Sequence, residues 1–307
     1  DTALSRREQG FDSPWARQLL DFAPPPATDG PAMPTIPIYY INRTARTDRR
    51  ALIESQMAAL GLSAERVEAT EGDAVPAAVR ERFCDTRRVN FLTPAAAACT
   101  TSHLHLWRRL VDEDVPWALI LEDDAVLSPL LPAFLAGFSS DVFDIVRLET
   151  ILRNARVLPE RLTVGPIKLR PFRSVTAGSA AYMISRRAMV HLLNPARLDQ
   201  LYDRAFDLVL YRHFAEPARD LDVVMTDPGL AVQLDKAERT DRSEGDVYLK
   251  RDVVHEPSRL LRLRRRLQVM RLGWSNGVDH LAHLPRGLTK RMIPFAGDLS
   301  AYRKPKL

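Results

Sequence analysis

The chain has 307 residues with 44 Lys+Arg, 39 Asp+Glu, 7 His and only 2 Cys, and 46% of it is apolar against 27% charged. This is a globular composition, ample for one large α/β domain or two smaller ones, and it excludes wholesale disorder. Cys84 and Cys99 cannot build a disulfide framework or a four-thiolate zinc site, and no apolar run approaches the roughly 20 residues that span a bilayer.

The start, DTALSRREQG, is charged and lacks the apolar stretch of a signal peptide, so a reduced, cytosolic setting is the simplest expectation. Asp1 stands where Met would begin a gene product, which leaves room for an upstream segment. Residues 1–35 read as an extension: Pro24, Pro25, Pro26, Pro31 and Pro34 fall within eleven residues and favour extended chain. IPIYYIN (36–42) is the first expected strand. Thr47 and Asp48 are placed to cap a helix running to about Leu60, with Gly61 as its stop. ERVEAT (65–70) is the second strand, and Thr93-Pro94 opens an Ala-rich helix to about Val111. WALILEDD (117–124) is nearly all apolar until three acids, the pattern of a central strand whose carboxyl end meets solvent. Ser128-Pro129 is expected to open another helix, and FDIVRLE (143–149) another buried strand. AGSAAYMIS (177–185) follows as a strand after a glycine turn, with Ser185 capping the next helix. Residues 203–214 read as helical and LDVVMT (221–226) as a strand. Strands alternating with helices predict an α/β sandwich with a mostly parallel sheet.

Charge divides the chain further. Residues 250–307 hold 14 Lys+Arg against 4 Asp+Glu, which leaves 30 against 35 in residues 1–249. The expected organisation is an extension (1–35), an acidic body (36–249) and a basic tail (250–307). Within SRLLRLRRRLQVMRLGW, Leu260, Leu263, Leu267, Met270 and Trp274 recur at helical spacing while six arginines lie mostly off that stripe. Two readings stand side by side. Either residues 259–274 form a basic amphipathic helix on an anionic membrane surface, or the leucine face packs on the body with arginine in solvent. Nucleic acid is not expected as a partner, because no aromatic residues interleave the basic block.

Glu122, Asp123 and Asp124 are the sharpest chemical signal. Residues two apart in a strand share a face, which pairs Glu122 with Asp124 and turns Asp123 away. Adjacent carboxylates repel, so their clustering favours a bound hard cation such as Mn²⁺ or Mg²⁺ that bridges protein oxygens to a phosphate. Ligands of open α/β sheets bind beyond the carboxyl ends of strands, where this triplet falls. The plainer alternative is a solvated turn.

The order of motifs resembles glycosyltransferase family 25, which includes bacterial lipopolysaccharide galactosyltransferases and collagen galactosyltransferase domains. Tyr40-Ile41-Asn42 with Asp48-Arg49-Arg50 is similar to the family's opening strand and helix. Leu92-Thr93-Pro94, Cys99, Ser102-His103 and Trp107 resemble its "L-T-x-x-E-x-G-C-x-x-S-H-x-x-x-W" helix. Leu121-Glu122-Asp123-Asp124 resembles the acidic motif, a version of the metal-binding D-x-D of GT-A transferases. Asp144 to Leu148, then Gly178-Ser179, Tyr182 and Ile184-Ser185, resemble the next elements, Asp207 a later acid, and Gln233 with Ser243 a final pair. The likeness covers about residues 36–245. Two departures stand out: the opening reads I-N-R-T-A, which touches nucleotide contacts, and Ala96 and Ala98 replace Glu and Gly, which touches the acceptor or helix packing.

The resemblance implies a GT-A-like, Rossmann-like fold. It also implies an inverting, metal-dependent transfer of a sugar, galactose from UDP-galactose, to a hydroxyl of a lipopolysaccharide or other glycan or glycolipid acceptor. Cysteine usage and the basic tail give the expected setting: cytoplasmic, peripheral at the inner face of the membrane if residues 259–274 bind there. Asp124 and Glu122 would hold Mn²⁺ or Mg²⁺, and Glu122 or Asp123 would face the ribose or sugar hydroxyls. Asn42, Arg49, Ser102, His103, Ser179 and Gln233 would border the donor. Acceptor activation needs a base, with Asp207 first and Glu149 second. Each role has a bland counterpart. Asp207 suits a helix N-terminus, Glu149 a solvated strand end, Asn42 a turn, His103 a satisfied core, Trp107 packing and Gln233 a loop brace. Gly178 reads as a backbone necessity. Ser102 and His103 point apart on a helix and make no hydrolase pair. Competing functions are a metal-dependent phosphohydrolase on the same carboxylates and a degenerate transferase that only binds glycan or membrane.

Overall fold

The computed structural model describes residues 36–174, 178–211, 217–238 and 259–302; the proline-rich extension and Ser243 lie outside them. In chain order the first half holds β1 (Ile38–Asn42), α1 (Thr47–Ala59), β2 (Glu65–Glu68), α2 (Ala77–Phe83), α3 (Pro94–Asp112), β3 (Trp117–Glu122), β4 (Ala125–Leu127), α4 (Leu131–Gly137) and β5 (Ile145–Arg147). Next come β6 (Asn154–Val157), β7 (Leu162–Val164), β8 (Ile167–Pro171), β9 (Ala181–Ser185), α5 (Arg186–Leu192), α6 (Pro195–Leu201) and α7 (Phe206–Leu210). The last are β10 (Val223–Asp227), β11 (Ala231–Gln233), α8 (Leu234–Ala237), α9 (Arg259–His283) and β12 (Thr289–Met292).

Eight strands form one sheet in the order β2-β1-β3-β9-β5-β10-β8-β7. All run the same way except β8 and β9. The mostly parallel sheet is therefore present, with a reversal that apolar alternation does not encode. β9 lies antiparallel between β3 and β5, pairing Leu121 with Ala181 and Arg147 with Tyr182. This brings the start of β9, the Gly178–Ala181 stretch, to the carboxyl ends of β3 and β5.

Side-chain alternation builds the layers. From β3, Ala118 and Ile120 join Trp107 and Leu110 of α3, Met189 of α5 and Phe206 of α7 on one face. Leu119 and Leu121 join Ile53 and Met57 of α1 and Leu131 and Phe134 of α4 on the other. The result is an α/β/α sandwich. Thr93 caps α3 through Ala96 N–H at 3.1 Å, and Ser185 caps α5 through Ala188 N–H at 3.1 Å, as their sequence positions foretell.

Several local expectations are corrected. Thr47 and Asp48 lie inside the first turn of α1 rather than capping it, and Asp48 instead pairs with Arg46 at 2.9 Å. The run 117–124 breaks after Glu122, and Asp123-Asp124 form a turn into β4, which pairs with β11 outside the main sheet. Ser128 does not open the following helix, which starts at Leu131; its hydroxyl instead accepts Leu130 N–H and bonds the carbonyl of Ala296. The helical stretch foreseen at 203–214 is the short α7, with residues 212–216 outside the described set.

The basic tail is not a single appendage. α9 lies on the outside, but the chain then returns to the body. β12 pairs antiparallel with β6, Leu288, Ile293, Ala296 and Leu299 are buried, and the Thr150 hydroxyl donates to Ile293 O at 2.6 Å.

Candidate active site

The acidic turn sits at the carboxyl edge of the sheet, between the ends of β1, β3 and β5. It is not a solvated turn. Asp123 is buried, and the Glu122 and Asp124 side chains keep 24% and 17% of their exposure. Strand alternation stops at Glu122, so Asp123 and Asp124 turn together onto Arg49 while Glu122 reaches toward His103.

Asp123 accepts Asn42 Nδ2 at 2.8 Å and Arg49 Nη1 at 3.1 Å, and the same Nη1 lies 3.2 Å from Asp124 Oδ2. Arg49, from the first turn of α1, is thus the counter-charge of both aspartates. Asn42 is wholly engaged within the protein, because its Oδ1 accepts Arg66 Nε at 3.0 Å and its Nδ2 also reaches Arg46 O at 3.1 Å. Asp124 is pushed up to about 7, by burial first and then by repulsion from Glu122, with Arg49 pulling it partly back. Its Oδ1 is buried with no hydrogen-bond partner. A buried carboxylate oxygen without a donor, among acids, is the atom a hard cation fits.

Glu122 continues the alternation of β3 and faces α3. It accepts the Ser179 hydroxyl and lies 3.8 Å from His103 Nε2. Burial pushes its carboxyl up, but His103, Ser179 and Arg49 together hold it below its ordinary value. His103 is fixed from behind. Its Nδ1 is 2.8 Å from the Tyr182 hydroxyl, which also accepts Trp107 Nε1 at 3.1 Å, and its ring stacks on Phe206 at 4.1 Å. Cys99, one turn before His103, completes a group with Glu122 whose ligand atoms lie within 4.8 Å of one another. Sulfur, imidazole and carboxylate suit a softer ion than the oxygens of the turn do, while burial pushes the Cys99 thiol well up.

The tripeptide Gly178–Ala180 threads between three acids. Gly178 N–H donates to Asp207 Oδ2 at 2.6 Å, the Ser179 hydroxyl to Glu122, and Ala180 N–H to Glu149 Oε2 at 2.9 Å. Gly178 has φ +97°, and a Cβ there would come within 2.2 Å of Glu149 Oε1, so the position excludes every other residue on two grounds. Glu149 is 1% exposed, and burial pushes it up to about 8 against the pull of Arg147 and the Ala180 amide. Asp207, in the first turn of α7, is half-buried and also raised by burial, opposed by the amides of Gly178 and Leu208. Asp207 and Glu122 are partly exposed, and Glu149 alone of the trio is fully buried.

The remaining expected residues fall nearby in different ways. Ser102 braces the fold, accepting Thr70 N–H at 2.8 Å and donating to Ala98 O at 2.9 Å. Gln233 ends β11 opposite Ala125 and precedes α8, whose Leu234 N–H donates to Asp124 O at 2.9 Å. Two charges escaped the reading of the sequence. Arg147 is buried, sits 4.8 Å above the Tyr211 ring and 3.8 Å from Glu149, and so supplies positive charge beneath the acids. An arginine inside the apolar run FDIVRLE was the signal, since a charge in a central strand needs a partner. Asp235 adds repulsion to Asp124, and nothing in its sequence context marks it.

The site is an acidic strand edge on an α/β/α sandwich, with one buried carboxylate oxygen left without a partner beside a neutralising arginine. Comparison with known proteins narrows the class. The model of glycosyltransferase family 25, described as LPS biosynthesis protein, matches residues 35–202, more than half of the chain. The chain belongs to that family. It is similar to the lacto-N-neotetraose biosynthesis glycosyltransferase LgtE of Neisseria gonorrhoeae, 28% identical over 205 residues that cover 64% of this chain and 73% of the relative. It is also 26% identical over 226 residues to the lipooligosaccharide biosynthesis protein lic2B of Haemophilus influenzae, covering 71% and 79%. A solved glycosyltransferase involved in glycosylating the PBCV-1 major capsid aligns at a TM-score of 0.34 and 12% identity, covering 67% and 97%. The family model, not that structure, carries the assignment.

Proposed function

We propose that the protein transfers a hexose from a UDP-sugar, galactose foremost, to a hydroxyl of a lipopolysaccharide-type acceptor on the cytoplasmic side, with inversion at the anomeric carbon. The observation that carries this reading is the buried, unpartnered Asp124 oxygen near Glu122, which in turn holds Ser179 beside the Gly178–Asp207 contact. One side is suited to a diphosphate with its cation, the other to a sugar and an attacking hydroxyl.

Asp124 would hold Mn²⁺ or Mg²⁺, with Glu122 next in reach; when bound, the ion supplies Lewis-acid stabilisation of charge on the departing diphosphate. Every other part falls to the chain itself. Arg49 neutralises Asp123 and Asp124 and keeps the corner organised before substrate enters. Ser179, fixed by Glu122, presents its hydroxyl at the sugar side, and His103 holds Glu122 from behind. Asp207 takes the acceptor proton. Its raised carboxyl lies nearer the working pH than an ordinary aspartate, and it is only half-buried where Glu149 is fully buried. Glu149 acts beneath the loop, holding Ala180 N–H and shaping the Gly178 turn.

The test is turnover with UDP-galactose, Mn²⁺ and a terminal-sugar acceptor in wild type, Asp207→Asn and Glu149→Gln. The expected outcome is a loss of about 10²–10⁴ in kcat for Asp207→Asn with donor binding retained, and a smaller loss for Glu149→Gln. Release of sugar or phosphate to water as the main activity, independent of acceptor, would instead make the enzyme a hydrolase.

A further inference from the structure

α9 is an amphipathic helix mounted inside out. Its polar side faces the body. Arg265 donates to Val89 O and Arg88 O, each at 3.2 Å, and lies over the Phe91 ring, while His280 Nε2 sits 2.6 Å from Arg173 O and Asp279 pairs with Arg173 at 3.8 Å. At about 100° per residue, these contacts and the partly covered Leu261, Gln268 and Asn276 fall on one side. The apolar row from Leu260 through Leu263, Leu267, Met270 and Trp274 to Leu281 is centred roughly 160° away. Every residue of that row is at least 52% exposed, and Trp274 reaches 77%. The packing alternative foreseen for this helix fails in its leucines, which are not on the body, while Arg259, Arg262, Arg264, Arg266 and Arg271 do stand in solvent. A contiguous apolar row of this length on a surface marks an interaction site.

Charge selects the occupant. The row has the 3-4 spacing of a coiled-coil seam, so a second copy of the chain is the obvious rival. The positions flanking the seam are Arg259 and Arg266 on one side and Arg264 and Arg271 on the other, and no acid occurs between Arg259 and Val278. Pairing two such helices, parallel or antiparallel, sets arginine against arginine. An apolar strip between two basic rails, with a tryptophan in the strip, matches the boundary of an anionic bilayer instead. At the end of the row, a cleft of about 440 Å³ is lined by Leu281, Leu284 and Leu288 and rimmed by Arg156 and Lys290. It continues the same pattern of apolar floor and basic edge.

We infer that α9 docks the enzyme on an anionic lipid surface, lying in the plane of the interface with its leucine row inserted and its arginines among the headgroups. The inference extends the proposed function, because a lipid-linked acceptor would be presented on that surface, but its test does not depend on transfer.

The full chain is floated with phosphatidylcholine vesicles with and without phosphatidylglycerol, at low and high salt. Binding to the anionic vesicles alone, weakened by salt and reduced at least about tenfold in the Leu263→Ser, Leu267→Ser, Met270→Ser triple variant, is expected. A Trp274→Ala variant should lose the blue shift of fluorescence that vesicles induce. These residues are exposed, so circular dichroism and the melting temperature should match wild type. Failure to bind anionic vesicles, or binding indifferent to the triple variant, overturns the inference. So does a concentration-dependent dimer that the same variant abolishes, which would give the face to a second copy. Transfer to a water-soluble acceptor should persist in the triple variant. Its loss in wild type as well would speak against the proposed function and leave the docking result standing.

Discussion

The acidic edge and α9 invert the same rule in opposite directions. At the edge, Glu149 is withdrawn from water and Glu122, Asp124 and Asp207 partly so, with Arg147 and Arg49 beside them. Along α9, leucine, methionine and tryptophan are pushed into water while a buried-side arginine serves as the mounting bracket. Neither arrangement favours folding. Sequestered like charges repel, and exposed apolar surface forgoes the burial worth about 25 cal/mol per Å². On the proposed function and the docking inference, each is relieved by something from outside: a cation and anionic substrate in one case, an apolar, anionic surface in the other. Where a fold breaks its own packing rule is where it meets a partner.

The contrast can be broken most sharply at Asp124. Asp124→Asn keeps the shape and removes the charge, and is expected to lower transfer by about 10²–10³ without lowering the melting temperature, since it relieves repulsion from Glu122. A variant that transfers normally would show that the open oxygen has no part in the chemistry. Next comes the core. Leu121 is fully buried on β3, so Leu121→Ala should cost about 2–5 kcal/mol in chemical denaturation.

Smaller again is the pH dependence. Glu149 and Asp124 are raised to about 8 and about 7 from ordinary values of 4.5 and 3.8. Between those limits the native state holds more protons than the unfolded chain, so stability is greatest at the acid end and falls as pH rises. The slope reaches at most about 1.4 kcal/mol per unit for each group. Urea midpoints measured without divalent ions should decline toward pH 8, and Glu149→Gln should flatten that decline; a rise instead would place these carboxylates in water. The smallest effect belongs to α9. Leu267→Ala should change stability by no more than about 0.5 kcal/mol, an order of magnitude below Leu121→Ala, although both replace leucine in a regular element.

Much of the frame was legible because alternation and capping are local. IPIYYIN, WALILEDD and LDVVMT became β1, β3 and β10 within a residue or two, and Thr93 and Ser185 cap as their positions foretell. The direction of β9 was not legible, since an apolar run reads the same whichever way it enters a sheet. The strands from Asn154 to Pro171 were missed because they are short and interrupted by Pro159, Gly165 and Pro166. At the site, Glu122 to Asp124 and Gly178-Ser179 stood out through their motifs. The alternation argument still misplaced the acids relative to one another, because the strand ends one residue before Asp123. Arg147 and Asp235 needed three dimensions, as their charges acquire meaning only from neighbours distant in the chain. The amphipathic pattern of α9 was visible, but not which side would face inward. That is settled by three carbonyl and ring contacts of Arg265, which no periodicity reports.

Proteolysis just beyond α9 would strip Leu288, Ile293, Ala296 and Leu299 from the interior and leave Thr150, the neighbour of Glu149, without its carbonyl acceptor. The surface-seeking helix is therefore stitched into the domain from its C-terminal side rather than hung on it. Trimming the gene from its 3′ end to obtain a better-behaved fragment would remove packing beside Glu149 at the acidic edge before it removed a single arginine of the helix.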